Sequence, residues 1–216
     1  MKRVVKDPEE RRKELIDTAE RLFVTTGYDQ TAISDIVKEI NISQGAYYYY
    51  FDSKEDVLVA ILDRNIAIME AALKQIADRD DLDEAAKLNA MINQFISLTA
   101  SGKKILNYIH QENNATLKKK LRKLKSFSRI APIMAEVVSK GTEKGCFDVS
   151  RPLETSYLLV ILLASALHIL TLSKATKDPR ETEKDDKVNR ENIRAALEDL
   201  LGRTLGVHDY KFSLQI

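Results

Sequence analysis

Residues 42–54 read Ile-Ser-Gln-Gly-Ala-Tyr-Tyr-Tyr-Tyr-Phe-Asp-Ser-Lys, and the four consecutive tyrosines carry the most distinctive chemistry in the chain. A core rarely takes four phenols in a row, because every buried hydroxyl needs a hydrogen-bond partner. A β-strand could hold the run, but Gly45 and the helical sequence on both sides argue against one. On a short helix successive residues stand about 100° apart, so Tyr47 points inward while Tyr48, Tyr49 and Tyr50 fan across an exposed face. Such a face, opened by Ser43, Gln44 and Gly45 and closed by Lys54, suits phosphates and base edges.

The elements around the run are those that would hold it in place. Leu15, Ala19, Leu22 and Phe23 fall on one face of a first helix from about Pro8 to Thr26, which Gly27 ends in a left-handed conformation. Thr31 is a good N-cap for a second helix with the stripe Ile33, Ile36, Val37 and Ile40. After Asn41-Ile42 a third helix starts at its cap, Ser43, and two short helices joined by a tight turn read as helix-turn-helix. Ser53 caps a fourth helix, with Asp56 completing a weak capping box, and this helix runs to about Ala77. The polar stretch Asp78–Asp83 reads as a linker, which puts the domain boundary in or near the fourth helix. Helices at about 83–100, 103–112, 114–144, 152–175 and 188–205 follow, and strand signals are nearly absent. The charged stretch Lys174–Asn192 reads as a mobile loop.

Bulk properties narrow the function. Hydrophobic residues make up 44% and charged residues 31% of 216, which fits a folded globular protein, and 7 Gly and 4 Pro leave few helix breakers. The net charge of +1 does not by itself announce a nucleic-acid binder, and residues 1–56 carry nine Lys/Arg against twelve Asp/Glu. DNA contacts must then come from placed residues. The single Cys146 suits a reducing cytoplasm, and the N-terminus lacks the apolar core of a signal peptide. The longest apolar run, Tyr157–Leu172, is interrupted by Ser165 and His168 and is shorter than the ~20 residues of a membrane helix. It reads as a helix buried on two sides, with no membrane partner. Three scattered histidines, one cysteine, and the lack of paired-carboxylate, metal-ligand or glycine-rich phosphate motifs argue against an enzyme, a metal site or a cofactor.

The spacing Leu15-x3-Ala19-x2-Leu22-Phe23-x3-Gly27-Tyr28-x2-Thr31, then Ile36, then Ser43-x-Gly45-x2-Tyr48-x2-Phe51-x-Ser53-Lys54-x2-Val57-Leu58, resembles the DNA-binding domain of the tetracycline-repressor (TetR) family over about residues 9–62. The rest of the chain resembles the family in architecture alone. The resemblance implies an all-α protein of about nine helices. Residues 1–56 would form a three-helix helix-turn-helix DNA-binding domain, with the fourth helix as connector to about 77. Residues 57–216 would form a helical ligand-binding and dimerisation domain. It further implies a cytoplasmic homodimer that regulates transcription, usually as a repressor, and leaves operator DNA when a small-molecule effector binds. Two positions depart from the family pattern. Asn41 stands where the family usually has Gly in the turn, and Asn is the next most tolerant of a left-handed backbone. Tyr47 stands where a Leu is usual on the buried side.

A recognition helix from Ser43 to Tyr49 would be about 10 Å long and fits a major groove about 12 Å wide. Gly45 and Ala46 lack bulk, so the backbone can approach the bases, and Ala46 can touch a thymine methyl. Gln44 presents a donor and an acceptor to a base edge. By the family pattern Tyr48 and Tyr50 reach phosphates and Tyr49 faces the bases. Thr31 offers a hydroxyl and a helix N-terminus to a phosphate, and Lys54 meets another. Lys2, Arg3, Arg11 and Arg12 are candidates for the flanking backbone or minor groove.

Dimerisation is placed on the last two helices, through Leu162, Ala166 and Ile169 on one and Ile193, Leu197, Leu200 and Leu201 on the other, meeting their symmetry mates in a four-helix bundle. Candidate effector-pocket residues are Phe95, Tyr108, His110, Phe127, Met134 and Tyr157, apolar bodies with a few polar handles. His110 and His168 read more simply as hydrogen-bonded residues than as switches. Lys118–Lys125 places six cations in eight residues. A solvated helix face is the plain reading; an acidic partner or an extra DNA contact is the alternative. The competing function is a helical protein-interaction adaptor without sequence-specific DNA binding, which the acidic balance of residues 1–56 would favour.

Overall fold

The first helix, α1 (Pro8–Thr25), begins where Asp7 accepts a hydrogen bond from the Glu9 amide at 2.8 Å and Pro8 supplies a preset φ at the first helical position. It ends at Gly27, whose φ of 107° is open to a residue without Cβ. Leu15, Ala19 and Phe23 are buried as their spacing predicts. The computed structural model describes residues 7–101, 105, 108–109, 115–124, 126–175, 190–207 and 210–215. Among these there is no strand: α2 (Ile33–Glu39), α3 (Gln44–Tyr48), α4 (Lys54–Ala77), α5 (Glu84–Ser101), α6 (Ala115–Lys123), α7 (Ser126–Glu143), α8 (Pro152–Ala175) and α9 (Arg190–Leu205) complete the order.

The chain divides into two compact units, Met1–Asn65 with Lys104–Leu124, and Ile66–Lys103 with Lys125–Ile216. The core of the first gathers Leu15, Phe23, Ile36, Tyr47, Phe51, Leu58 and Ile61, with Ile105 and Leu117 from the returning segment. Asn65 and Arg64, midway along α4, bond Glu20 on α1, and Arg64 also bonds Asp17. In the second unit α7 packs most extensively on α8, and α5 packs against both. Its apolar core includes Leu88, Met91, Ile92, Phe95, Met134, Val138 and Val160, and Glu84, Lys87 and Ser156 are buried in the same unit.

The predicted continuous helix 114–144 is broken at Leu124, whose amide bonds Leu121 O at 3.0 Å in a tightened last turn. The pieces, α6 and α7, belong to different units, and tertiary placement overrides a run of good helix formers. The predicted helix 103–112 lies largely outside the described residues, with helical backbone at 105, 108 and 109. So does most of the charged stretch 174–192. The C-terminal segment has a structure the helical pattern did not foretell. Phe212 and Leu214 alternate inward in an extended strap. Asn89 accepts from the Ser213 amide at 2.9 Å. Asn93 donates to Ser213 O and accepts from the Gln215 amide, both at 2.8 Å, and Glu198 accepts from the Leu214 amide at 2.8 Å.

Asn41 has φ 54°, and among the described residues it is the one non-glycine at positive φ. An Asn41→Ala variant should lose about 1 kcal/mol, because alanine lacks the short amide that eases the left-handed region. Asn41→Gly should stay close to wild type. Urea unfolding followed by circular dichroism measures both.

Candidate nucleic-acid interface

The predicted recognition helix, α3, has five residues, about 7.5 Å of rise, flanked by its cap Ser43 and by Tyr49. Ser43 Oγ accepts from the Ala46 amide at 3.2 Å, the N-cap bond its type predicts. Gln44 and Gly45 are exposed and Ala46 is half-buried. The tyrosines separate as the helical frame requires. Tyr47 is 0% exposed, Tyr48 52% and Tyr49 78%, with Tyr50 half-buried. Tyr49 and Tyr50 meet edge-to-face, ring centroids 4.9 Å apart, which holds the outer phenols as one surface.

Tyr47 answers its departure from the family's leucine by donating its hydroxyl to Ser53 O at 3.0 Å. Burial, with Asp56 a lesser cause, pushes this phenol well above its ordinary pKa, so it remains a donor. Ser53 is a junction. Its hydroxyl caps α4 by accepting from the Asp56 amide at 3.2 Å and donates to Asp56 Oδ2 at 2.7 Å. It also accepts from Lys120 Nζ on α6 at 3.1 Å, and Lys120 reaches Asp56 Oδ1 at 2.7 Å.

Two predicted phosphate ligands are turned inward. Thr31 is 1% exposed, and its hydroxyl donates to Gly27 O at 2.6 Å. The N-cap of α2 is Ala32, whose amide is taken by Asp35 Oδ2 at 2.8 Å. Lys54 Nζ turns inward, donating to Tyr28 O at 2.8 Å and Thr31 O at 3.0 Å, and lies 4.2 Å from the centroid of the Tyr28 ring. It clamps the α1–α2 turn to the start of α4. Arg12 lies 5.2 Å from the Phe51 ring centroid and Arg11 pairs with Glu14 at 2.6 Å. Lys2 and Arg3 lie outside the described residues.

Three of the predicted effector residues share one core, and the others do not join them among the described residues. Phe95 and Met134 are buried in the second unit's core, with Tyr157 packed on it. Tyr108 belongs instead to the first unit, its ring 4.3 Å from that of Tyr28. Phe127 is exposed, because it falls on the outer side of α7, and His110 lies outside the described residues. His168 is half-buried on α8. An open groove of about 390 Å³ in the second unit is lined by Pro132, Ala135, Glu136, Ser139, Pro152 and Leu153, none of them a predicted pocket residue. Among the described residues no cluster of His, Cys, Asp or Glu could hold a metal.

The predicted dimer residues also divide. Ala166, Leu197 and Leu201 are buried in their own core, Leu162 and Ile193 pack partly against it, and Ile169 and Leu200 are exposed. The outer face of α8 is instead marked by Leu158, 67% exposed, and Ile161, which the sequence did not single out. Helix Pro152–Leu170 is long and apolar enough to cross a membrane, but part of it is core-packed through Leu159, Val160 and Leu163.

Three outcomes follow from the junction. Tyr47→Phe should cost about 1 kcal/mol of stability by orphaning Ser53 O in urea unfolding. Lys54→Ala should cost about 1–3 kcal/mol, because two turn carbonyls lose their donor, and a variant of unchanged stability would refute the clamp. Burial works to raise the Asp56 carboxyl, but the bonds from Lys120 and Ser53 outweigh it and hold it below the usual range. Its contribution is therefore full above the unfolded value of about 3.9 and is lost as pH falls through the lower folded value. Asp56→Asn should remove that part of the acid dependence, read from stability measured between about pH 2 and 6.

Known proteins resemble this chain. The family described as bacterial regulatory proteins, tetR family, matches residues 15–61 through its TetR_N domain. An uncharacterized HTH-type transcriptional regulator of Bacillus subtilis (strain 168), YuxN, is 47% identical over 53 residues, 24% of this chain and 18% of that protein, so the chain spans less than a fifth of its length. The fatty acid metabolism regulator protein of the same organism is 28% identical over 142 residues, 63% of this chain and 72% of that protein. The crystal structure of FadR from Bacillus subtilis in complex with stearoyl-CoA shares the fold, with a TM-score of 0.62 at 18% identity over 91% of this chain and 99% of that one. With the capped α3 and the left-handed turn at Asn41 both inside the matched segment, residues 15–61 form a domain of the bacterial regulatory proteins, tetR family.

Proposed function

We propose that this chain is a ligand-responsive transcriptional repressor, a cytoplasmic homodimer that binds a palindromic operator through residues 1–56 and is released by a small apolar effector held in residues 57–216. The observation that carries the reading is the exposed tyrosine face of α3, with Tyr47 locked inward. Gln44 reads a base edge, Gly45 and Ala46 let the backbone approach, Tyr49 faces the bases, and Tyr48 and Tyr50 hold phosphates. Ser43 keeps the helix capped. Thr31 and Lys54 act behind this surface by fixing the turn. The half-sites lie about 34–36 Å apart, or a multiple of it, as two-fold symmetry requires.

Leu158, Ile161 and Ile169 on α8, with Leu200 on α9, form the dimer contact in this reading. The apolar second core supports an apolar effector, and a fatty acyl thioester is the first class to test, given the alignment with a fatty acid metabolism regulator.

Selection of random duplexes on purified protein should return a palindrome, and Gln44→Ala should lower discrimination at one position of each half-site by about 1–3 kcal/mol. Binding without preference for any duplex at moderate salt would overturn the reading. Leu158→Asp combined with Ile161→Asp should yield monomers in analytical ultracentrifugation and weaken operator binding. Stearoyl-CoA should raise the melting temperature and lower operator affinity; a shift with resorcinol or choline alone would reassign the effector class.

A further inference from the structure

The domain that carries α3 is, along its N-terminal sequence, the wrong charge for DNA: nine Lys/Arg against twelve Asp/Glu in residues 1–56. The first unit is not made of that sequence alone. It includes Lys104–Leu124, and α6 with Leu124 carries five cations and no acid. The helix sorts them by face. Leu117 is buried, Leu121 packs on the same core, and Lys120 lies between them, bonded to Asp56 and Ser53. Lys119, Arg122 and Lys123, at i, i+3 and i+4, are exposed on the opposite face. Among the described residues none of the three is ion-paired.

Resting on the reading of α3 as a DNA-recognition helix, we propose that Lys119, Arg122 and Lys123 form a second DNA contact, on backbone phosphates flanking the half-site. Position and charge support it together. Lys120 fastens α6 to Ser53, the residue that accepts the Tyr47 hydroxyl, so one residue joins the recognition helix and the basic helix. The outward cations stand about one helix diameter, ~10 Å, beyond that junction. They sit in the same compact unit as the tyrosine face and do not depend on how the second unit is placed. A solvated face needs no such fastening, and three unpaired cations beside an acidic recognition domain supply the attraction that phosphates require.

The test uses the full-length protein and the duplex selected by wild type. Lys119→Gln, Arg122→Gln and Lys123→Gln are combined, and affinity is measured from about 50 to 200 mM salt. The variant should bind every sequence more weakly and keep its specificity ratio. The magnitude of its salt slope should fall by about 2–3 per protomer, near 0.9 for each lost phosphate contact. On a duplex trimmed to the outer edges of the half-sites, wild type and variant should converge, which a merely structural loss would not produce. An unchanged salt slope on the long duplex, while Gln44→Ala still loses base discrimination, would overturn the α6 contact and leave the recognition helix standing. Loss of binding to polyglutamate with the DNA slope unchanged would assign the face to an acidic protein and also overturn it. A wild-type protein with no duplex preference would instead defeat the reading of α3 itself.

Discussion

The structure of the first unit hangs on Ser53. A helix of five residues cannot hold itself, because isolated helices shorter than about 12 residues are marginal in water. What fixes α3 is the hydroxyl of Tyr47 on Ser53 O at one end and the Ser43 cap at the other. Ser53 Oγ is fully occupied, donating to Asp56 and accepting from the Asp56 amide and Lys120. Its neighbour Lys54 holds the Tyr28 and Thr31 carbonyls. Four elements therefore meet within two residues, and the outer tyrosines inherit their direction from that junction. The tyrosine that departs from the family's leucine is an added polar tie.

Local chemistry was legible in the sequence, and long-range chemistry was not. The caps at Ser43 and Ser53, the left-handed Asn41 and the inward turn of Tyr47 each depend on residues a few positions away, so spacing reveals them. Lys54 turns inward for the opposite reason: its acceptors, the carbonyls of Thr31 and Tyr28, lie 23 and 26 residues away. The Thr31 hydroxyl is held locally, by Gly27 O four residues back. The break between α6 and α7 was hidden by a run of Lys, Leu and Arg that favours helix throughout. The strap at 210–215 did leave a trace, the alternation of Phe212 and Leu214, but its partners Asn89 and Asn93 lie more than a hundred residues upstream.

Helix α8 shows a different limit. A helix that is apolar all round has no preferred phase, so the sequence cannot say which residues face its own core. Packing decides it: Ala166 goes inward, and Leu158, Ile161 and Ile169 go outward. These side chains leave apolar surface in water, and covering it would be favourable. The same helix is partly buried against α5 and α7.

The order of the chain through the two units bears on how they are joined. The chain leaves the first unit within α4 after Asn65, returns at Lys104 and leaves again after Leu124. Both ends of the segment carrying α6 therefore lead to the second unit, and so does the far end of α4. These are the two helices that meet at Ser53 and Asp56. The covalent routes between the units are therefore α4 and the two ends of the segment carrying α6. The Lys120–Asp56 bond joins those two segments inside the first unit, and Lys120 also holds Ser53, whose carbonyl accepts the Tyr47 hydroxyl. A state shift in either segment would reach the tyrosines only by its effect on these bonds, since a ligand acts through its differential affinity for two states.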